Sequence, residues 1–298
     1  MDCKDLEARA LSKGRERSAP NVLEIHEAIR VEGQHELSRP VQALAVSGLA
    51  AGLCLGFSFL AQASLQHALP EADWTPLVTK FGYSVGFLIV ILGRQQLFTE
   101  NTLTPILTFF SSPTRKVAQR VARLWLIVLL ANLAGASIFA AFLALTPVFS
   151  HEMGVTLSKV ALSIFEPGAY ANFLRGILGG WLIALLVWLL PFAETARPWI
   201  IIVMTYMIGI GHLAHVIAGS VEAFYAVFIG TLSLGAALSG FIIPALIGNV
   251  LGGVALVSAL HHAQIRFDAN HGEDGSDVVE AECQTTGYLE NRPFPGVT

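Results

Sequence analysis

Six long apolar runs follow one another along the chain, at about 41–66, 77–98, 121–147, 171–192, 199–219 and 235–260. Each holds roughly the 20 residues that an α-helix needs to cross the hydrocarbon core of a bilayer. Charged residues are concentrated between these runs and near the two ends of the chain. The pattern predicts an all-α membrane protein with six transmembrane helices.

Two shorter apolar pieces, residues 103–110 and 223–232, follow the second and fifth runs and are too short to span alone. They are separated from those runs only by residues 99–102 (Thr-Glu-Asn-Thr) and by the pair Gly219 and Ser220. The second and fifth predicted helices are therefore interrupted. Periodicity leaves open whether each interruption is a broken helix or a re-entrant loop.

Composition supports the membrane assignment, since 54% of the 298 residues are hydrophobic and only 13% are charged. A soluble domain needs more charge to cover its surface. No basic stripe indicates a nucleic-acid partner. The cysteines, Cys3, Cys54 and Cys283, have no metal-ligand or disulfide spacing. No nucleophile–base pair, phosphate loop or ligand cluster indicates an enzyme or a cofactor.

The basic residues predict the orientation of the spans. They are most frequent in the amino-terminal tail and in the loop after the second run, so the positive-inside rule places both termini in the cytoplasm. We expect a cytoplasmic tail over residues 1–38, a six-span domain over 39–262 and a disordered cytoplasmic tail over 263–298. Within the first tail, Val22, Ile25 and Ile29 share a helical face, which predicts a short interfacial helix.

The two halves of the chain resemble each other. The first and fourth runs are glycine-rich, and the third and sixth carry Asn132 and Asn249 before small residues. The second and fifth runs are interrupted at Thr99 and His215, which lie 33 and 34 positions before those asparagines. Three spans per half predict an inverted 3+3 repeat with its permeation site near mid-membrane.

Polar residues inside these runs are the candidate site. The segment 94–105 is costly in lipid, and Pro105 favours an irregular loop whose following half-helix points its electropositive end into the protein. Glu100 in this loop either pairs with Arg94 or takes part in a proton path. In the fifth run we interpret His215 as functional. His212 reads as a helix–helix hydrogen-bonding residue and Glu222 as part of an external vestibule.

Three motifs occur in a fixed order: residues 97–102 (Leu-Phe-Thr-Glu-Asn-Thr), His215, and residues 248–253 (Gly-Asn-Val-Leu-Gly-Gly). Together they resemble the formate/nitrite transporter family over roughly residues 36–262. Residues 36–40 (Glu-Leu-Ser-Arg-Pro) and the glycine-rich start of the first run look like its YfdC-like branch. The chain departs from many members at Ala214, Gly180 and Glu100, which bears on the cargo rather than on the scaffold.

The resemblance implies an aquaporin-like six-helix protomer that assembles as a homopentamer with one pore in each protomer, in a bacterial inner membrane. It implies cytoplasmic-side constriction residues at Tyr83 and Phe87, with Ile208 on the other side of the pore. The remaining pore positions that it implies are Thr99, Phe98, His215, Asn249, Glu100 and Lys159.

The function expected from these features is passage of a small monovalent anion such as formate or nitrite, or of its weak acid, linked to protons through the central histidine. Two alternatives stay open at this point. A channel for water or a neutral solute fits the same fold plan, although the paired Asn-Pro-Ala loops typical of such channels are absent. A non-transporting scaffold or sensor that acts through the tails is the other.

Overall fold

The computed structural model describes residues 20–259 of the chain, with side chains as far as residue 255. All regular structure in this part is helical. We number the helices α1 to α10; short 3₁₀ and π turns occur inside or beside some of them. Their bounds are Val22–Ser38, Val41–Ala68, Thr75–Leu92, Thr104–Ser111, Arg115–Leu145, His151–Ser163, Gly168–Leu189, Arg197–Ile210, Val216–Phe228 and Leu234–Ala255.

Five of these helices, α2, α3, α5, α7 and α10, are long and apolar enough to cross a membrane. They coincide with five of the six predicted runs. The remaining run, 199–219, is divided between α8 and the first part of α9, two shorter apolar helices. The predicted interruption after the second run is also present, because α3 ends at Leu92 and the chain re-enters a helix only at Thr104.

The helices α3 and α8 end in the same way. Arg94 and His212 both adopt left-handed backbone, with φ of 50° and 49°. The amide of the next residue then donates to a carbonyl five positions back, from Gln95 to Val90 and from Leu213 to Ile208, at 3.0 Å in each case. This is the hydrogen bond of a Schellman cap. His212 therefore terminates a helix and does not share a continuous helical face with His215.

The break expected at Gly219 and Ser220 is wrong. Both residues lie inside α9, and the break in the fifth run falls at residues 211–215 instead. Glycine is retained inside the helix for packing, because a Cβ at Gly219 would collide with the ring of Phe241 on α10. Small residues thus mark a close helix–helix approach here and not a turn.

Glycines bring two pairs of helices into backbone contact. A Cβ at Gly52 on α2 would collide with the carbonyl of Asn132 on α5, and one at Gly180 on α7 would collide with the carbonyl of Asn249 on α10. The glycines of these runs accordingly serve close helix packing. This packing also places the two asparagines against the helix breaks.

The predicted amino-terminal helix is present as α1, which begins with a capping box between Asn21 and Glu24. It packs against the half-helix α4 on its buried residues, which are His26, Ile29, Gly33 and Leu37. A Cβ at Gly33 would meet the carbonyl of Thr104, and the Thr108 hydroxyl donates to the carbonyl of Arg30 at 3.1 Å. α1 therefore covers the start of α4.

Candidate functional site

The two interrupted segments meet at a single side-chain pair. Thr99, in the segment between α3 and α4, lies with its Oγ1 2.6 Å from Nε2 of His215, which immediately precedes α9. Thr99 is fully buried and His215 nearly so. The ring of Phe87 packs edge-on against the imidazole with a centroid separation of 4.9 Å, and Tyr83 stacks next to Phe87 at 5.3 Å. Residues 116 positions apart thus form one compact polar contact surrounded by aromatic rings.

The local structure of α9 sets the tautomer of His215. Its Nδ1 accepts a hydrogen bond from the Ala218 amide at 3.1 Å, so the side chain serves as the amino-terminal cap of α9. In a neutral imidazole that accepts at Nδ1, the proton is on Nε2. Nε2–H therefore donates to Thr99 Oγ1. The Thr99 hydroxyl is left free to donate its own proton to a further acceptor.

Two asparagines hold the two breaks with the same set of hydrogen bonds. Asn249 Oδ1 accepts from the Val216 amide at 2.8 Å, and its Nδ2 donates to the carbonyls of Gly176 and Ala214, each at 2.8 Å. The side chain is completely buried. It joins α10 to both α7 and the segment that carries His215.

Asn132 repeats this arrangement in the other half of the chain. Its Oδ1 accepts from the Phe98 amide at 2.9 Å, and its Nδ2 donates to the carbonyls of Gly48 and Gln96 at 2.7 and 2.9 Å. Each asparagine thus satisfies an amide and a carbonyl that its broken helix leaves without helical partners. The side-chain hydrogen bonds of Asn132 and Asn249 thus hold both helix breaks in position.

A cavity of about 60 Å³ lies against His215. This volume suits water or a molecule of a few heavy atoms. Backbone and apolar groups from α6, α7, α8 and α10 form part of its wall. Its polar lining includes Gln62, Lys80, Tyr83, Asn172, Arg175, His212, His215 and Glu222.

The cavity carries an excess of positive charge. Lys80 and Arg175 line it together with one carboxylate, that of Glu222, which is only 5% exposed. Lys80 Nζ donates to Gln62 Oε1 at 3.2 Å. In the part of the chain that the structure describes, none of these three charged groups takes part in an ion pair. Lys80 and Glu222 lie within electrostatic range of each other, and all three charged groups line the cavity.

Comparison with known proteins identifies this arrangement. The sequence model of the formate/nitrite transporter family matches residues 23–263. The chain belongs to the formate/nitrite transporter family. It is 39% identical to inner membrane protein YfdC of Escherichia coli over 267 residues, which cover 90% of this chain and 86% of YfdC. It is 26% identical to formate channel BtFdhC of Bacillus thuringiensis, with 80% of this chain and 93% of the relative covered.

Solved structures of this family have the same fold. A pentameric formate channel with formate bound superposes with a TM-score of 0.63 at 18% identity, covering 76% of this chain and 97% of that one. An FNT family ion channel superposes with a TM-score of 0.65 at 20% identity, covering 82% and 96%. The family and the fold are those of channels and transporters, and the predicted family membership, including its YfdC-like character, is confirmed.

Most of the pore positions implied by family resemblance lie around the Thr99–His215 pair. Phe87 contacts His215, and the amide of Phe98 and the side chain of Asn249 belong to the two asparagine networks. Tyr83 and Ile208 line the same cavity. The implied placement of Tyr83 and Phe87 on the cytoplasmic side, with Ile208 across the pore, stays a prediction.

Two predicted residues lie elsewhere. Lys159 on α6 is 65% exposed and forms an ion pair with Glu71 at 3.2 Å, away from the cavity lining. Glu100 has a buried Oε1 without a hydrogen-bond partner, and it lies within electrostatic range of Glu32 and Glu36 on α1. The suggested pairing of Glu100 with Arg94 is not among the ion pairs of the described residues.

Sequence reasoning missed the two cavity cations, Lys80 and Arg175. Each lies inside an apolar run, where a charged residue is rare and marks a buried or water-facing position. That signal was available, since the runs 77–98 and 171–192 contain few other charges.

Proposed function

We propose that the protein is a membrane channel or transporter for a small monovalent anion, such as formate or nitrite, or for the corresponding weak acid. The observation that carries the proposal is the small cavity lined by His215, Lys80 and Arg175, where His215 also contacts the buried hydroxyl of Thr99. The hydroxyl of Thr99 offers one hydrogen bond to an acceptor. Lys80 and Arg175 supply the positive potential that draws an anion into the cavity.

The proposed architecture is an aquaporin-like inverted repeat of three plus three spans within residues 39–262. The six spans are α2, α3 with α4, α5, α7, α8 with α9, and α10. Three kinds of matching detail support it: the left-handed ends of α3 and α8, the two asparagine networks and the two glycine contacts. A homopentamer in a bacterial inner membrane, with both termini cytoplasmic, completes the proposal by analogy with the relatives.

The energetics favour passage of the neutral acid past the aromatic and aliphatic constriction at Phe87 and Ile208. Moving a bare ion into a medium of low dielectric constant costs about 20 kcal/mol in the idealised limit, and several kcal/mol remain after relaxation. Protonating a weak acid of pKa about 4 at neutral pH costs roughly 4 kcal/mol, because each pKa unit corresponds to about 1.4 kcal/mol. Flux is therefore linked to protons.

In this proposal His215 acts by polarising the proton that travels with the cargo. Its Nε2–H donates to Thr99, and the proposed role of this bond is to orient the threonine hydroxyl toward the passing cargo. A second proton on Nδ1 would face the Ala218 amide and break the cap of α9. The geometry accordingly favours a histidine that stays neutral and positions the hydroxyl.

The test is uptake of formate, nitrite and acetate into proteoliposomes that contain the purified oligomer, with and without an inward proton gradient. We expect gradient-stimulated uptake of at least one anion. We expect that His215→Asn or His215→Phe abolishes it while the oligomer stays intact, and that His151→Asn, on the exposed surface, does not change it. Absence of uptake for every anion, from verified folded oligomer, would overturn the proposal.

A further inference from the structure

The wall of the cavity formed by α9 carries a second titratable group besides His215. His215, Gly219 and Glu222 all line the cavity, and their spacing of four and three residues places them on one face of the helix. Seven residues of α-helix separate His215 and Glu222 by about 10 Å along the axis. Glu222 thus lies about two helical turns from His215 along the same wall, and Gly219, which has no side chain, lies between them.

The Glu222 carboxyl is buried without a direct hydrogen bond or ion pair among the described side chains, and it lies within electrostatic range of Lys80. It is only 5% exposed. A buried carboxyl group without a permanent partner in a protein of this kind is costly unless it exchanges a proton or binds something that enters. Nothing in the packing of α9 requires an acidic side chain at this position, since its neighbours Val221 and Ala223 are fully buried apolar residues.

His215 is poorly suited to be the group that delivers a proton to the cargo. Its Nδ1 caps α9 and its Nε2 is engaged with Thr99, so both ring nitrogens have protein partners. No hydrogen bond within the described side chains involves the carboxyl group of Glu222. The cavity also exposes Lys80 on the facing helix α3, which would hold an anion beside the carboxyl group.

We propose that Glu222 is the proton-exchanging residue of the cavity and thereby determines that the cargo is a weak acid. The inference rests on the proposed function and deepens it. The anion enters as its conjugate base, the O–H bond of the Glu222 carboxylic acid breaks and an O–H bond forms on the anion. The neutral acid moves on to Thr99 and His215, and the Glu222 carboxylate takes a proton back from a hydronium ion of the aqueous phase, which leaves water.

Several other titratable groups face this carboxyl group across the cavity, and each is a potential contributor to a pH effect. They are Lys80 and Tyr83 from α3, Arg175 from α7, His212 from the α8–α9 connection and His215 at the start of α9. The decisive measurement must therefore distinguish the effect of Glu222 on uptake from the effects of these groups. Comparing the pH dependence of uptake between the wild type and a variant substituted only at Glu222 makes this distinction.

The experiment compares uptake of formate into proteoliposomes by the wild type, Glu222→Gln and Glu222→Asp between about pH 5 and pH 8. Glutamine keeps the size of the side chain but cannot release a proton. We expect uptake by Glu222→Gln to fall at least tenfold near pH 7, where only the small fraction of cargo already protonated in solution can pass. That deficit should shrink as the pH approaches the pKa of the cargo, roughly 4, and Glu222→Asp should restore much of the uptake.

Glu71→Gln is the matched control, because Glu71 is an exposed carboxylate outside the cavity lining. Its uptake should equal that of the wild type at every pH. A deficit of Glu222→Gln that is the same at all pH values would indicate a structural role and overturn the inference, as would wild-type uptake by that variant. Failure of the wild type to transport any tested anion would instead contradict the proposed function itself.

Discussion

The hydrogen bonds of Asn249 give a quantitative prediction for Asn249→Ala. The substitution removes the acceptor for the Val216 amide and the donor for the Ala214 carbonyl, both of which lie at the break where no helical partner is available. The carbonyl of Gly176 lies inside α7, where it has a helical partner, so losing its bond to Asn249 adds little to the free-energy cost of the substitution. Leaving a buried amide or carbonyl unsatisfied costs about 1–3 kcal/mol. Two such groups predict a loss of roughly 2–6 kcal/mol.

This loss is large compared with the total stability of about 5–15 kcal/mol that is typical of proteins. The assay is the midpoint of thermal unfolding of the purified oligomer in detergent, with Ser239→Ala on the exposed face of α10 as the control. Asn132→Ala should be destabilised by a similar amount, because its three hydrogen bonds match those of Asn249. A midpoint for Asn249→Ala within about 1 °C of the wild type would refute the reasoning, since it would mean that the breaks do not depend on these bonds.

Three further predictions follow from the same structure. Thr99→Val keeps the shape of the side chain but removes the hydroxyl, so formate uptake should fall at least tenfold while Thr99→Ser retains uptake, as measured in proteoliposomes. Gly180→Ala should destabilise the oligomer by about 1–3 kcal/mol through overpacking against α10, whereas Gly154→Ala, where a Cβ meets nothing within 4 Å, should leave the unfolding midpoint unchanged. Lys159→Met should leave the uptake rate at its wild-type value because Lys159 is exposed and outside the cavity. A change beyond about twofold would show that Lys159 takes part in transport.

The class of the protein and most of its helices could be predicted from the residue pattern along the chain. The length of an apolar run and its lack of charged residues can be read from consecutive residues. These two properties predicted the five long helices α2, α3, α5, α7 and α10. The polar residues at Thr99 and His215, and the asparagines that follow each by a similar distance, were also visible in the sequence. Matched spacing in the two halves correctly marked the residues that hold the breaks.

The pairing of polar atoms could not be predicted in this way, because it depends on contacts between distant parts of the chain. The break in the fifth run lies before His215 and not at Gly219, because a glycine inside a helix and a glycine at a turn look alike in the sequence, and here the ring of Phe241 occupies the space. The cations of the cavity could not be assigned either. Lys80 and Glu222 are separated by 142 positions, and whether two distant charges face one space depends on how the helices cross. Hydrophobic periodicity indicates which face of a helix is buried. Which other helix packs against that face depends on the packing of the whole bundle.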